Sequence, residues 1–148
     1  MTELKKILGQ SFSKINRIIV KENEESYELF DSLVFSDENN KLKFQIQTNQ
    51  TGVKTIFIKD ETDLLIDGEY SVKKIEYKNT YKSKGFTINQ LDVFWDDTKS
   101  YVIGFILIFN DTKLHFIRLV DEMNLEFEEK FYKQMENVKS YIIDKHTN

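Results

Sequence analysis

Apolar and polar residues alternate with period two through much of this chain. The cleanest run is KLKFQIQ, residues 41–47. Leu42, Phe44 and Ile46 fall on one side, and Lys43, Gln45 and Gln47 on the other. That spacing predicts an antiparallel strand with one buried face. Similar runs predict strands over 11–22, 27–36, 53–58, 69–77, 86–95, 100–109, 113–120 and 124–128. Between them lie KENEES, DENN, NQTG, DDTK and NDT, whose Asn, Asp and Gly supply turns in a chain without proline. Residues 59–67 read as an acidic, turn-like stretch and residues 78–85 as a polar linker. The run YVIGFILIF (101–109) is apolar at both parities, which predicts a central strand covered on both faces.

Two segments break the period. Thr2–Leu8 reads as a short helix, capped by Thr2 and stopped by Gly9, with Leu4, Ile7 and Leu8 on one face. Near the other end, Phe131, Met135, Val138 and Ile142 recur at spacings of four, three and four, opposite Lys130, Lys133, Glu136 and Lys139. This predicts an amphipathic helix over 129–145.

The chain also repeats itself. FDSLVFSDENNKLKF (30–44) is echoed by GFILIFNDTKLHF (104–116). Setting Tyr27 on Tyr101 places Leu33 on Leu107, Phe35 on Phe109 and Asp37 on Asp111. Dropping two residues from the first turn brings Lys41, Leu42 and Phe44 onto Lys113, Leu114 and Phe116. Upstream, Gly9 and Ile15 match Gly85 and Leu91. Repeats of this length are supersecondary units. The expected fold is one mainly β (α+β) domain, 1–148, with an internal duplication whose copies cover 9–58 and 85–128. Two similar antiparallel meanders would pack by their apolar faces as a sandwich or open barrel, flanked by the two helices. One position resists this pattern. Asp31 stands where the second copy has Phe105, and it shares parity with Leu29, Leu33 and Phe35. A carboxylate in such an apolar row needs a partner. Arg118, on the parity of Leu114 and Phe116, is one candidate; the alternatives are an Asp at the strand's exposed end or a functional carboxylate in a cleft.

Composition narrows the chemistry. A net charge of -4 lacks the clustered basic residues of a nucleic-acid binder. Absence of cysteine excludes disulfides, thiol nucleophiles and Cys-bound zinc. The two histidines are His115 and His146. His115 has parity opposite to Leu114 and Phe116, facing solvent or the second sheet surface. There is no Gly-rich phosphate loop, no His pair at metal spacing and no carboxylate pair that spacing selects. The expectation is a non-enzyme without cofactor or metal. MTELKKILGQ holds no apolar run of signal-peptide length, and 101–109 is too short for a membrane helix. A cytoplasmic protein without membrane or nucleic-acid partners is expected. Richness in Lys, Asn, Ile and Glu suggests an AT-rich bacterial genome.

Surface recognition remains. Acidic groups stand at Glu22, Glu24 and Glu25 and at Asp60, Glu61 and Asp63. The latter lack the ordered oxygen-ligand loop of a calcium site. Trp95, followed by Asp96 and Asp97, is a candidate anchor, because Trp is enriched at binding hot spots. The structural alternatives are solvated turns and a Trp packed into the core.

The segment DVFWDDTKSYVIGFILIFNDTKLHFIRLVDEMNLEF resembles small bacterial β-rich proteins of the polymorphic-toxin immunity type. In that pattern a Trp precedes a polar turn, then a Tyr, an apolar strand and a hairpin. FDSLVFSDENNKLKF fits it too. Where the pattern has Gly and Asp after the Tyr, this chain has Val102 and Ile103, then Gly104 and Phe105. The resemblance therefore carries no site residue. It implies a protein that binds and neutralises a cognate toxin, its acidic loops meeting a basic surface. The alternative expectation is a small-molecule or lipid binder with a cavity between its sheets.

Overall fold

The computed structural model describes residues 2–49, 52–67, 74–97, 101–109, 112–119, 122–126 and 138–144. In chain order the elements are α1 (Thr2–Lys5), β1 (Ser11–Glu22), β2 (Glu25–Ser36), β3 (Leu42–Asn49), β4 (Gly52–Phe57), a 3-10 turn (Glu61–Asp63), β5 (Lys74–Thr87), β6 (Gln90–Asp96), β7 (Tyr101–Phe109), β8 (Thr112–Leu119), β9 (Glu122–Glu126) and β10 (Val138–Asp144). The strands form two five-stranded antiparallel sheets, ordered β4-β3-β2-β1-β5 and β10-β6-β7-β8-β9. Each sheet keeps two edge strands, so the molecule is an open sandwich and not a closed barrel. Both sheets follow one plan: a four-strand meander whose fifth strand returns beside the first. The sequence repeat sets β2 on β7 and β3 on β8, strands that hold the same places in the two sheets.

Aromatic rings fill the space between the sheets. Phe35 stacks on Phe44, its cross-strand partner, with centroids 4.4 Å apart. Phe105 and Phe116 repeat the arrangement at 4.6 Å in the other sheet. Phe35 and Phe116 meet across the gap at 6.1 Å, and Phe12 packs edge-on to Phe35 and Phe86. Each fully buried Phe contributes about 1.5–3 kcal/mol by leaving water. Leu4 of α1, Ile7 just after it and Ile143 of β10 join this core. As its two-sided apolar pattern predicts, β7 is central, and Val102, Ile103, Phe105, Ile106 and Leu107 are all buried.

Several sequence expectations are corrected. Residues 78–85 are not a linker; they belong to β5, a long edge strand. Its polarity reflects exposure, and exposed Lys74, Lys78, Lys82 and Lys84 blunt the edge. Residues 86–95 are not one strand. Phe86 and Thr87 end β5, and Ile88 carries the chain to the second sheet. Its N–H donates to Gln10 O at 2.8 Å, and its carbonyl accepts from Gly9 N–H at 2.7 Å. Of the expected C-terminal helix, 129–137 lie outside the described residues, and Val138–Asp144 is a strand paired with β6. There Ile143 is buried while its neighbour Ile142 is 61% exposed, as successive residues of a strand point to opposite faces. The pairing offered by β6 outweighs a helical stripe, and Val, Tyr and Ile suit a strand. In β3, a register shift opposite Phe35 and Ser36 turns Leu42 to the face opposite Phe44 and Ile46. Gln45 and Gln47 are buried, so both faces of β3 are covered. His115 is buried on the face opposite Leu114 and Phe116. No helix among the described residues is long and apolar enough to cross a membrane.

Candidate functional site

The outer face of the first sheet carries a second apolar cluster. Ile18, Val20 and Val34 are buried there beneath Leu29, Leu42, Leu64, Ile66, Ile75 and Tyr77. Leu64 and Ile66 come from the connector after β4, which lies over this face. Gln45 fastens it. Its Nε2 donates to Leu65 O and its Oε1 accepts from Leu65 N–H, both at 2.8 Å. Gln47 Nε2 reaches the carboxylates of Asp67 at 3.3 Å and Asp31 at 3.4 Å.

The predicted acidic group at the start of this connector does internal work. Asp60 Oδ1 accepts from Thr62 N–H at 2.8 Å and from the Thr62 hydroxyl, and these bonds lower the Asp60 pKa. Asp63 Oδ2 accepts from the N–H groups of Lys59 at 2.8 Å and Asp60 at 3.2 Å, completing a capping box. Glu61 accepts from Tyr77 OH at 3.1 Å. Burial, reinforced by the Glu61 charge, pushes the Tyr77 phenol well above its usual range.

Asp31 lies in a bulge. Between the pairs Asn16–Val34 and Ile18–Leu29, β1 advances two residues while β2 advances five. Arg17 fills the widened gap. Its Nη1 donates to Phe30 O at 3.0 Å and Ser32 O at 3.1 Å, and its guanidinium lies 5.6 Å from the Phe30 ring centroid. Parity is lost across the bulge, so Leu33 faces the main core and Leu29 the outer cluster. Asp31 therefore does not point into the apolar row. Its carboxylate accepts from Ser32 Oγ at 3.1 Å and from Gln47. Burial raises the Asp31 pKa; the Ser32 hydrogen bond opposes this and the Asp67 charge adds to it. The Arg118 side chain lies outside the described residues. The cation beside Asp31's neighbours is Arg17, which sequence reasoning missed. Its signal was one of only two arginines, set within the strand FSKINRIIV.

Glu22, Glu24 and Glu25 stand at the β1–β2 turn, where Asn23 takes a φ of 55°. Two large side chains follow on β2 with unusual exposure, Tyr27 at 40% and Phe30 at 45%. Tyr27 OH hydrogen-bonds to Glu25. Trp95 is half-buried against the main core, at the end of β6. Asp97 forms an ion pair with Lys139 of β10, which raises the Lys139 pKa. Asp96 pairs in the ladder with Tyr101 and Val138. The three predicted groups thus sit on three separate parts of the fold: a hairpin end, a connector and the end of a strand in the other sheet.

A cleft of about 680 Å³ also opens on the outer face. Lys14, Asn16, Ser36, Asn40, Leu42, Glu76, Tyr77, Asn79 and Lys82 line it. No group of three His, Asp or Glu able to hold a metal ion occurs among the described residues. Compared with protein-family models, curated proteins and solved structures, the chain matches none.

Proposed function

We propose that this chain is an immunity-type binding protein that neutralises a cognate bacterial toxin by protein–protein contact in the cytoplasm. The observation that carries the reading is the β1–β2 hairpin end, where exposed Tyr27 and Phe30 follow Glu22, Glu24 and Glu25. Aromatic side chains within an acidic rim suit a basic partner surface. The carboxylates speed encounter, and the rings hold the complex once formed. Trp95 packs at the margin of the core in this reading, and the anchors move to Tyr27 and Phe30. The stacked Phe rings that fill the interior favour surface recognition over a ligand held between the sheets.

The test is co-expression with the product of the neighbouring gene. The wild-type chain should co-purify with that product and suppress its toxicity. Glu24→Lys with Glu25→Lys should slow association about tenfold at low salt, and Phe30→Ala should mainly speed dissociation. If the neighbouring gene encodes no toxin and no partner co-purifies, the reading fails.

A further inference from the structure

The outer-face cleft lies apart from the hairpin end, and its lining is chemically one-sided. Lys14 and Lys82 are direct cross-strand partners on β1 and β5, and both line the cleft. Like charges placed opposite one another destabilise a sheet unless something sits between them. Lys14 is held in place: its Nζ donates to Asn40 Oδ1 at 2.6 Å and to Glu38 O at 3.4 Å. Among the described lining residues Glu76 is the acidic one, and its carboxylate is engaged by Lys21 at 3.1 Å and Lys74 at 3.9 Å, neither of which is among them. The cleft is therefore a local excess of positive charge on a chain whose net charge is -4.

The floor is a polar relay. Asn79 Nδ2 donates to Asn16 Oδ1 at 3.2 Å, and Asn16 Nδ2 donates to Ser36 Oγ at 3.1 Å. Asn16 and Ser36 are buried. The relay ends at the Ser36 hydroxyl, whose proton remains a donor. Leu42 and Tyr77 supply apolar lining in the same cleft. A volume of this size holds a small organic molecule, and convergent donors beside an apolar wall are how such sites orient a ligand.

We propose that this cleft binds a small organic oxyanion, its phosphate or carboxylate group between Lys14 and Lys82 and its apolar body against Tyr77 and Leu42. Binding relieves the repulsion between the two ammonium groups and draws on the Ser36 hydroxyl of the floor. The amide hydrogens of Asn16 and Asn79 are already given to Val34 O, Ser36 Oγ, Asn16 Oδ1 and Tyr81 O, and they fix the shape of the floor. The site is independent of the hairpin end.

The test is a titration of the full chain, followed by nuclear magnetic resonance of the Asn16 and Asn79 side-chain amides. The probes are phenyl phosphate and benzoate, with phenol as the uncharged comparison. At least one anion should give saturable shifts at millimolar concentration or below, and which one does so separates phosphate from carboxylate. Phenol should bind at least tenfold more weakly. Lys82→Glu, at an exposed position, should keep the fold and weaken the anion at least tenfold, and Lys14→Gln should weaken it similarly. No saturable shift with either anion, equal binding of phenol, or unchanged binding by Lys82→Glu would each overturn the proposal.

Discussion

Gln45 and Leu65 exchange two hydrogen bonds. The buried amide of Gln45 gives its N–H to Leu65 O and takes the Leu65 N–H, each at 2.8 Å. A side chain thus imitates the backbone of a neighbouring strand and seats a connector on a sheet face. The same Nε2 also reaches Ser32 Oγ at 3.0 Å. Without Gln45 the connector loses both 2.8 Å bonds at Leu65 and keeps the longer Gln47 contacts to Leu65 O at 3.5 Å and Asp67 at 3.3 Å. Leu64 and Ile66 are then held less firmly over Ile18, Val20 and Val34.

Gln45→Ala is therefore expected to cost about 2–3 kcal/mol, the sum of lost bonds and polar groups left to find water. The loss should begin locally. Amide exchange at Leu65 should accelerate far more than exchange in β7, and urea denaturation should give the global cost. Equal acceleration in both places would mean that the connector is not a separately anchored unit.

Arg17 supports the bulge in β2. Its guanidinium is buried, at 6% exposure, and donates to the carbonyls of Phe30 and Ser32 where the β1–β2 register is interrupted. Arg17→Met leaves those carbonyls without their donor, at an expected cost of about 2–4 kcal/mol. Arg17→Lys keeps the charge but lacks the planar fork, so its stability should fall between the two. Urea melts of the three proteins give the order directly, and a Met variant as stable as the Lys variant would refute the role given to the guanidinium.

Two carboxyl groups set opposite pH trends. Glu3 Oε2 accepts the Thr55 N–H at 2.9 Å on edge strand β4, and this bond, more than its pairing with Lys6, holds its pKa below the ordinary 4.5. Its contribution is present above pH 4.5 and is lost as pH falls through the lowered value. Asp31 runs the other way. Burial raises its pKa above 3.8, so the fold favours the protonated form and loses stability as pH rises through that window. At pH 7, Glu3→Gln should lower Tm and Asp31→Asn should raise it, each by about 2 °C. Both differences should shrink in acid below these windows. Thermal melts from neutral to acid pH check the signs, and an Asp31→Asn variant that is destabilised at neutral pH would contradict the second.

The strands were legible because burial on one face writes itself as period two. Phe44, Ile46, Leu107 and Leu114 announce their sheet face directly, and YVIGFILIF announces a strand covered twice. What was not legible lies where register shifts. Parity places Asp31 with Leu33, and the bulge at Arg17 removes it from that row. Parity places Leu42 with Phe44, and a second shift separates them. Gln45 and Gln47 read as solvent-facing because nothing local says that residues twenty positions later will fold back over them. The same limit applies to the cleft. Lys14 and Lys82 are 68 positions apart, and only the pairing of β1 with β5 makes them neighbours. Acidic turns were visible as composition, yet the capping bonds of Asp60 and Asp63 are geometry. Val138 and Ile142 fit a helical stripe, but the free edge of β6 decides their conformation.

Two glycines allow backbone strain and side-chain crowding to be separated. Gly9 and Gly85, matched by the repeat, have positive φ values of 84° and 97°. A Cβ on Gly9 would meet nothing within 4 Å, whereas one on Gly85 would meet Ser13 Oγ at 3.0 Å. Gly9→Ala should therefore cost about 1–2 kcal/mol from conformation alone. Gly85→Ala adds crowding against buried Ser13, where β1 and β5 shift register between Phe12 and Lys14. It should cost more than Gly9→Ala by about 1 kcal/mol. Ser13→Ala placed beside Gly85→Ala removes the crowding atom, so the pair should fall back toward the cost of Gly9→Ala. Denaturant melts of the wild type, Ser13→Ala, Gly85→Ala and the double variant close the cycle, with Gly9→Ala as the reference for backbone cost. If Ser13→Ala recovers nothing, the cost at Gly85 lies in the backbone, and the close approach of the Ser13 hydroxyl is incidental to the bulge.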